Sequence, residues 1–222
     1  MLTDFFKKYR KRTIALFLSI GFIVMGTFCS AILQKVRIDL NKKFYFLVSS
    51  STHIEASTHF VEWSGGAGYL LENAGNAQVV FSVYLKEEDG VIVQSALTEE
   101  TELLTLCVDS ICLYKKSDKE KAKQTEGAFQ TLYNCCEVLE KIIGRVARGG
   151  TQESGKRLLE VLQAQLSFLR KEYAEIFPKY AEVCKKGEES ISRLLQKTIY
   201  LKDLRYMLCE LCVAYVQLAS SF

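Results

Sequence analysis

The chain is poor in histidine, has a single proline and, past its first residues, carries no excess of positive charge. The 222 residues hold two histidines, His53 and His59. They stand six apart on one short expected helix, about 240° around it on the 3.6-residue repeat, so they do not share a face. No third ligand accompanies them, and no serine or cysteine elbow is set for a histidine-based triad. The formal net charge is +3. Met1–Arg12 carries five basic residues and one acid, Asp4, and Thr13–Leu33 carries no charge, so everything after Leu33 sums to −1. The pI near 8.3 is therefore an effect of the tail. A nucleic-acid partner would need a basic patch, and the case for one falls away.

Other chemistries fail in the same way. Gly150-Thr151-Gln152-Glu153-Ser154-Gly155-Lys156-Arg157 is close to a phosphate-binding GxxxxGK[ST] loop. Arg157 stands where the Mg²⁺-ligating hydroxyl is needed, and a helix precedes it instead of a strand. It reads as a helix–helix turn, so no nucleotide is expected. Glu87, Glu88 and Asp89 sit where the dipole of a starting helix favours acids, with no partner placed for acid–base work. No enzyme activity and no cofactor are expected.

Eight cysteines are present, seven of them after Leu33. In an exported chain such a number first suggests disulfides. The pattern opposes a framework. Cys135-Cys136 is a vicinal pair on an expected helix, Cys209 and Cys212 are an i,i+3 pair, and Cys184 stands alone. Cys107 and Cys112 have opposite parity on one expected strand. Most of them read as small buried apolar residues. Cys209-x-x-Cys212 has a second reading, as half of a zinc site or a redox pair, but no second CxxC or histidine cluster completes it.

What is abundant is apolar sequence, and its longest apolar stretch, Thr13–Leu33, runs 21 residues without a charged side chain. As a helix it is about 30 Å long, roughly the hydrocarbon thickness of a bilayer. The expectation is a basic cytoplasmic tail at 1–12, a transmembrane helix at 13–33, a polar spacer at 34–42 and the bulk of the chain outside a cell membrane, single-pass. The basic tail sets that direction. Cleavage after Ala31, at Cys29-Ser30-Ala31, is the alternative, although the run exceeds the ~7–15 residues of a usual signal core.

After the spacer, Lys43–Ser49 is aromatic and β-branched and reads as a strand. Ser50–Thr52 offers an N-cap for a helix over His53–Trp63, stopped by Ser64-Gly65-Gly66. Ala67–Glu72 and Ala77–Leu85 form a hairpin about the turn Asn73–Asn76. Lys86–Thr98 is a second helix and Glu102–Tyr114 a fourth strand. The order is β-α-β-β-α-β, two helices on one face of a four-stranded antiparallel sheet.

These residues resemble the SPOR (sporulation-related repeat) family over about 43–115. The likeness is carried by Phe46-Leu47-Val48-Ser49-Ser50, Gly65-Gly66-Ala67-Gly68-Tyr69, Val80-Phe81-Ser82-Val83-Tyr84 and the acidic helix start Glu88-Asp89. The resemblance implies binding of peptidoglycan glycan strands on the open face of the sheet, outside the membrane. Leu47 and Ser49 stand where the family often has glutamine and glycine. Alternation directs Phe44, Phe46 and Val48, with Val79, Phe81, Val83 and Leu85, toward the helices. It directs Tyr45, Leu47, Ser49, Val80, Ser82 and Tyr84 to the open face, where they are the expected glycan- or partner-binding residues. Tyr45 and Tyr84 would stack on sugar rings. The other reading of this face is that the rest of the protein covers it.

From Ser117 the pattern becomes helical. Ser117-Asp118-Lys119-Glu120 reads as a capping box. Thr125, Phe129, Leu132, Cys136, Leu139, Ile143 and Val146 follow an a/d seam, ended by Gly149-Gly150. Thr151 caps a second helix with a stripe from Leu158 to Val183, kinked or broken at Pro178. Gly187 separates a third, from Ile191 to Leu218. The expected fold is thus α+β: a transmembrane helix, a SPOR-like domain at 43–115, and an antiparallel three-helix bundle at 117–222. The expected function is a membrane-anchored protein of a Gram-positive spore-former that binds glycan strands and localises to a division or sporulation complex. The alternative is a tethered scaffold whose sheet and helical bundle bind another protein.

Overall fold

The computed structural model describes residues 35–50, 53–73, 76–97 and 100–221. The tail 1–12, the stretch 13–33 with Cys29, and the cleavage position after Ala31 lie outside the described residues. So do parts of the N-cap expected at Ser50–Thr52 and of the turn expected at Asn73–Asn76. The described residues divide into two compact units, those of 35–38 with 112–123, and those of 39–111 with 124–221.

In the smaller unit, β1 (Lys35–Asp39) pairs with β6 (Ile111–Lys115), and a 3₁₀ turn at Lys116–Asp118 leads into α3 (Lys119–Ala147). Two expectations are corrected here. The polar spacer at 34–42 contains a strand: Val36 and Ile38 alternate with Lys35, Arg37 and Asp39, and a half-buried strand needs no more than that. The strand expected at Glu102–Tyr114 is two strands that belong to different sheets, β5 (Thr101–Val108) and β6, parted at Asp109-Ser110. Cys107 and Cys112 therefore lie on separate strands, the first exposed and the second buried. Ser117, expected to cap α3, donates instead to Asp118 Oδ1 at 3.3 Å.

In the larger unit, residues 42–108 run β2 (Lys42–Ser49), α1 (Ile54–Trp63), β3 (Tyr69–Asn73), β4 (Asn76–Tyr84), α2 (Glu87–Ala96), β5. The sheet has the order β3-β4-β2-β5 with every neighbour antiparallel. Its centre is β2, whose residues Phe44 to Val48 are all at most 9% exposed. A strand buried on both faces reads as an apolar run, and alternation then cannot say which face meets which helices. Leu47 clusters with Val61 of α1 and with Val79 and Phe81 of β4. Phe44 goes the other way, its ring 6.1 Å from that of Tyr133 on α3. The expected parity of β2 is thus reversed. On β4 a β-bulge adds a second departure: Leu47 pairs with Ser82 but Val48 pairs with Val80, which inserts Phe81 and switches the facing of β4 beyond it.

The C-terminal part holds four helices, not three: α3, α4 (Gln152–Tyr173), α5 (Pro178–Leu195) and α6 (Leu201–Ala219). Gly149, at φ 80°, ends α3, and the amides of Gly149 and Gly150 return to the carbonyls of Val146 and Arg145. Thr151 Oγ1 accepts from the Ser154 amide at 3.3 Å and caps α4. Pro178 takes the first turn of α5, where its fixed φ and missing N–H cost nothing. Gly187 does not separate helices. It lies buried inside α5, where a Cβ would come within 2.9 Å of Leu166 on α4. Its smallness allows the close approach of two helices, and the chain breaks instead between Leu195 and Leu201.

The expected fold needs one further correction. Among the described residues no helix is long and apolar enough to cross a membrane. The described architecture is α+β, with six α-helices and two small sheets and no membrane-spanning element.

The loop after α1 offers a test of packing. A Cβ on Gly66 would sit 2.5 Å from Val61 Cγ1 and 2.8 Å from the Val61 carbonyl oxygen, and Val61 is fully buried. Because the backbone oxygen cannot rotate aside, Gly66→Ala is expected to cost about 1–3 kcal/mol. Urea denaturation should show a lower midpoint with an unchanged slope.

Candidate functional site

The six residues expected on an open sheet face are not on one face, and five of them are closed off from solvent. Leu47 and Val80 are fully buried, and Ser82, Ser49 and Tyr45 are 3%, 8% and 9% exposed. Leu47 belongs to the α1 side. Val80 pairs with Tyr69, whose ring meets Tyr206 of α6 at 5.3 Å. Tyr84, partly buried, packs against α2, where a Cβ on Gly90 would touch its ring at 3.3 Å.

The other side of the sheet is held by aromatic rings. Phe44 meets Tyr215 of α6 edge-on at 5.4 Å, and Tyr215 meets Phe129 of α3 at 5.3 Å. The Tyr215 hydroxyl donates to the Leu40 carbonyl at 3.2 Å, and Tyr180 of α5 donates to the Ala128 carbonyl at 2.7 Å. Each buried phenol thereby has a backbone acceptor, and burial pushes both pKa values up.

Cys135, Cys136, Cys184, Cys209 and Cys212 are buried free thiols, as expected for small apolar core residues. Burial pushes the Cys135 and Cys184 thiols up to about 12 and that of Cys209 up as well, so all three are neutral at pH 7 and poor nucleophiles. Among the described residues no three His, Cys, Asp or Glu side chains converge as a metal site. His53 and His59 are exposed, and the Gly150–Arg157 segment is the turn and first turns of α4.

A site that sequence reasoning missed lies between α2 and the C-terminal half of α3, with α6 at its base. It is a cleft of about 620 Å³. Arg205 of α6 enters it, donating from Nη1 to the Gly65 carbonyl at 2.8 Å, while its buried Nε has no partner. Burial lowers the pKa of Arg205, and the nearby Tyr84 opposes that shift. Glu140 of α3 accepts the Leu85 amide at 3.0 Å. Burial raises its pKa above the ordinary value, and the charge of Asp89 adds to the rise. Lys141 and Arg145 of α3, with Arg148 just past its end, line the rim at i, i+4 and i+7, where the helix dipole favours cations. That spacing, and the lone Arg205 between Leu204 and Leu208, were signals in the sequence. Their convergence was not.

Against family models, curated proteins and solved structures the chain gives no match.

Glu140 supplies a pH test. A carboxyl whose pKa is raised on folding contributes stability below its unfolded value, near 4.5, and loses it as pH rises through the folded value. Glu140→Gln keeps an acceptor for Leu85 and removes the ionisation. The variant should therefore melt higher than the parent at pH 8, with the difference shrinking toward pH 3.5. Melting curves across that range check it, and a difference independent of pH would rule out ionisation as the cause.

Proposed function

We propose that the chain is a non-catalytic assembly protein that binds other proteins through its outer helical surfaces, with the SPOR-like sheet as an internal platform. One observation carries this reading: both faces of the sheet are covered, one by α1 and α2 and the other by the aromatic cluster of α3 and α6. A glycan platform needs rings and polar groups in water, and of the six residues in question only Tyr84 retains appreciable exposure.

The bundle, in contrast, leaves apolar side chains outside. On α4, Val161 is 55% and Phe168 is 63% exposed, seven residues apart on one side of the helix. They line a shallow groove with Leu169 and Tyr173 of α4 and Gly127 and Thr131 of α3. Exposed apolar residues gathered along a groove suit a protein contact. The neutral thiols and phenols of the core suit a positioning role without a reaction step.

Sedimentation with purified glycan strands tests the reading. The full chain is expected to stay in the supernatant under conditions in which an established wall binder is pulled down. Saturable co-sedimentation, weakened by Tyr84→Ala, would overturn the proposal in favour of a glycan-binding sheet.

A further inference from the structure

We propose that the cleft between α2 and α3 is a binding site for an organic monoanion, a carboxylate joined to an apolar chain, seated on Arg205. This goes beyond the assembly role and does not depend on it, since the cleft lies apart from the α4 groove.

Three features of the cleft point to that class of ligand. The first is a cation at the base: Arg205 lines the cleft, and its guanidinium is held in place by the bond from Nη1 to the Gly65 carbonyl. The planar guanidinium fork matches the two oxygens of a carboxylate. The second is the balance of charge. Lys141, Arg145, Arg148 and Arg205 face two carboxylates, Asp89 and Glu140. The surplus of positive charge attracts an anion. The third is the remainder of the wall. Ile92, 65% exposed, with Val93, Ile143 and Leu208 gives an apolar side that a compact inorganic ion would leave unused.

Space and access agree. The volume, about 620 Å³, lies within the usual range for small-molecule sites, ~300–1,000 Å³. Gly144 keeps the α3 wall low, and the Arg148 guanidinium lies across it, 3.5 Å from where a Cβ would be. Arg148 is therefore placed at the mouth, and Arg205 at the base.

Sodium octanoate is the probe, titrated calorimetrically into the full chain, with 1-octanol and inorganic phosphate as separate arms. Octanoate is expected to bind saturably, and both other compounds at least tenfold more weakly. Arg205→Gln should weaken octanoate binding about tenfold. Because that variant removes a partly buried residue, two exposed substitutions keep the test independent of folding. Arg148→Gln and Ile92→Asp should each weaken binding about threefold or more with an unchanged melting temperature. The proposal is overturned if octanoate fails to saturate, if octanol or phosphate binds as tightly, or if Arg148→Gln and Ile92→Asp bind like the parent.

Discussion

Strand β2 withdraws five consecutive apolar residues, Phe44 to Val48, from water on both sides at once. Fully burying a large apolar side chain stabilises by about 1.5–3 kcal/mol, so this strand alone concentrates a large share of the driving force in the larger unit. A strand with two apolar faces demands two covers. The short helices α1 and α2 supply one through Val61, Val93 and Leu97. The other comes from some ninety residues further along the chain and beyond, where Tyr133 and Tyr215 close on Phe44. The sheet and the bundle in this unit therefore share one core.

That shared core sets what the protein can do. A sheet covered on both faces has only its edges and connections left for ligands. Functional surface passes to the helices that do the covering, and to the seams between them and the sheet. The Arg205 cleft is such a seam. Arg205 leaves α6 beside Leu204 and Leu208, which are fully buried, yet its guanidinium reaches the Gly65 carbonyl at the end of α1. A long stem buried among apolar neighbours with a charged head at a cleft is how arginine reconciles burial with charge.

Much of the local structure was legible. The strand at Lys43–Ser49, the helix after it, the a/d seam from Thr125 to Ile143 and the cap at Thr151 all follow from composition, spacing and backbone chemistry. The errors came from residues with more than one physical use. Glycine both ends helices and lets them touch: Gly149 does the first, Gly187 the second, and the difference lies in Leu166 on another helix. Charged residues hid β1, because Lys35, Arg37 and Asp39 outnumber the two apolar positions that a half-buried strand requires. The facing of β4 was lost at one inserted residue, Phe81, which alternation alone does not reveal.

The sequence by itself determined that Lys43–Ser49 would be a strand, that the cysteines of the bundle would be core thiols, and where α3 would stop, since these depend on side-chain polarity and local backbone chemistry. Only the tertiary structure decided that the sheet's second face would be closed by α3 and α6, and that Arg205, Glu140 and Arg148 would meet in one cleft. Those outcomes depend on which apolar surfaces pair across long sequence separations, and hydrophobic attraction is non-directional: it requires that a face be covered without naming the segment that covers it.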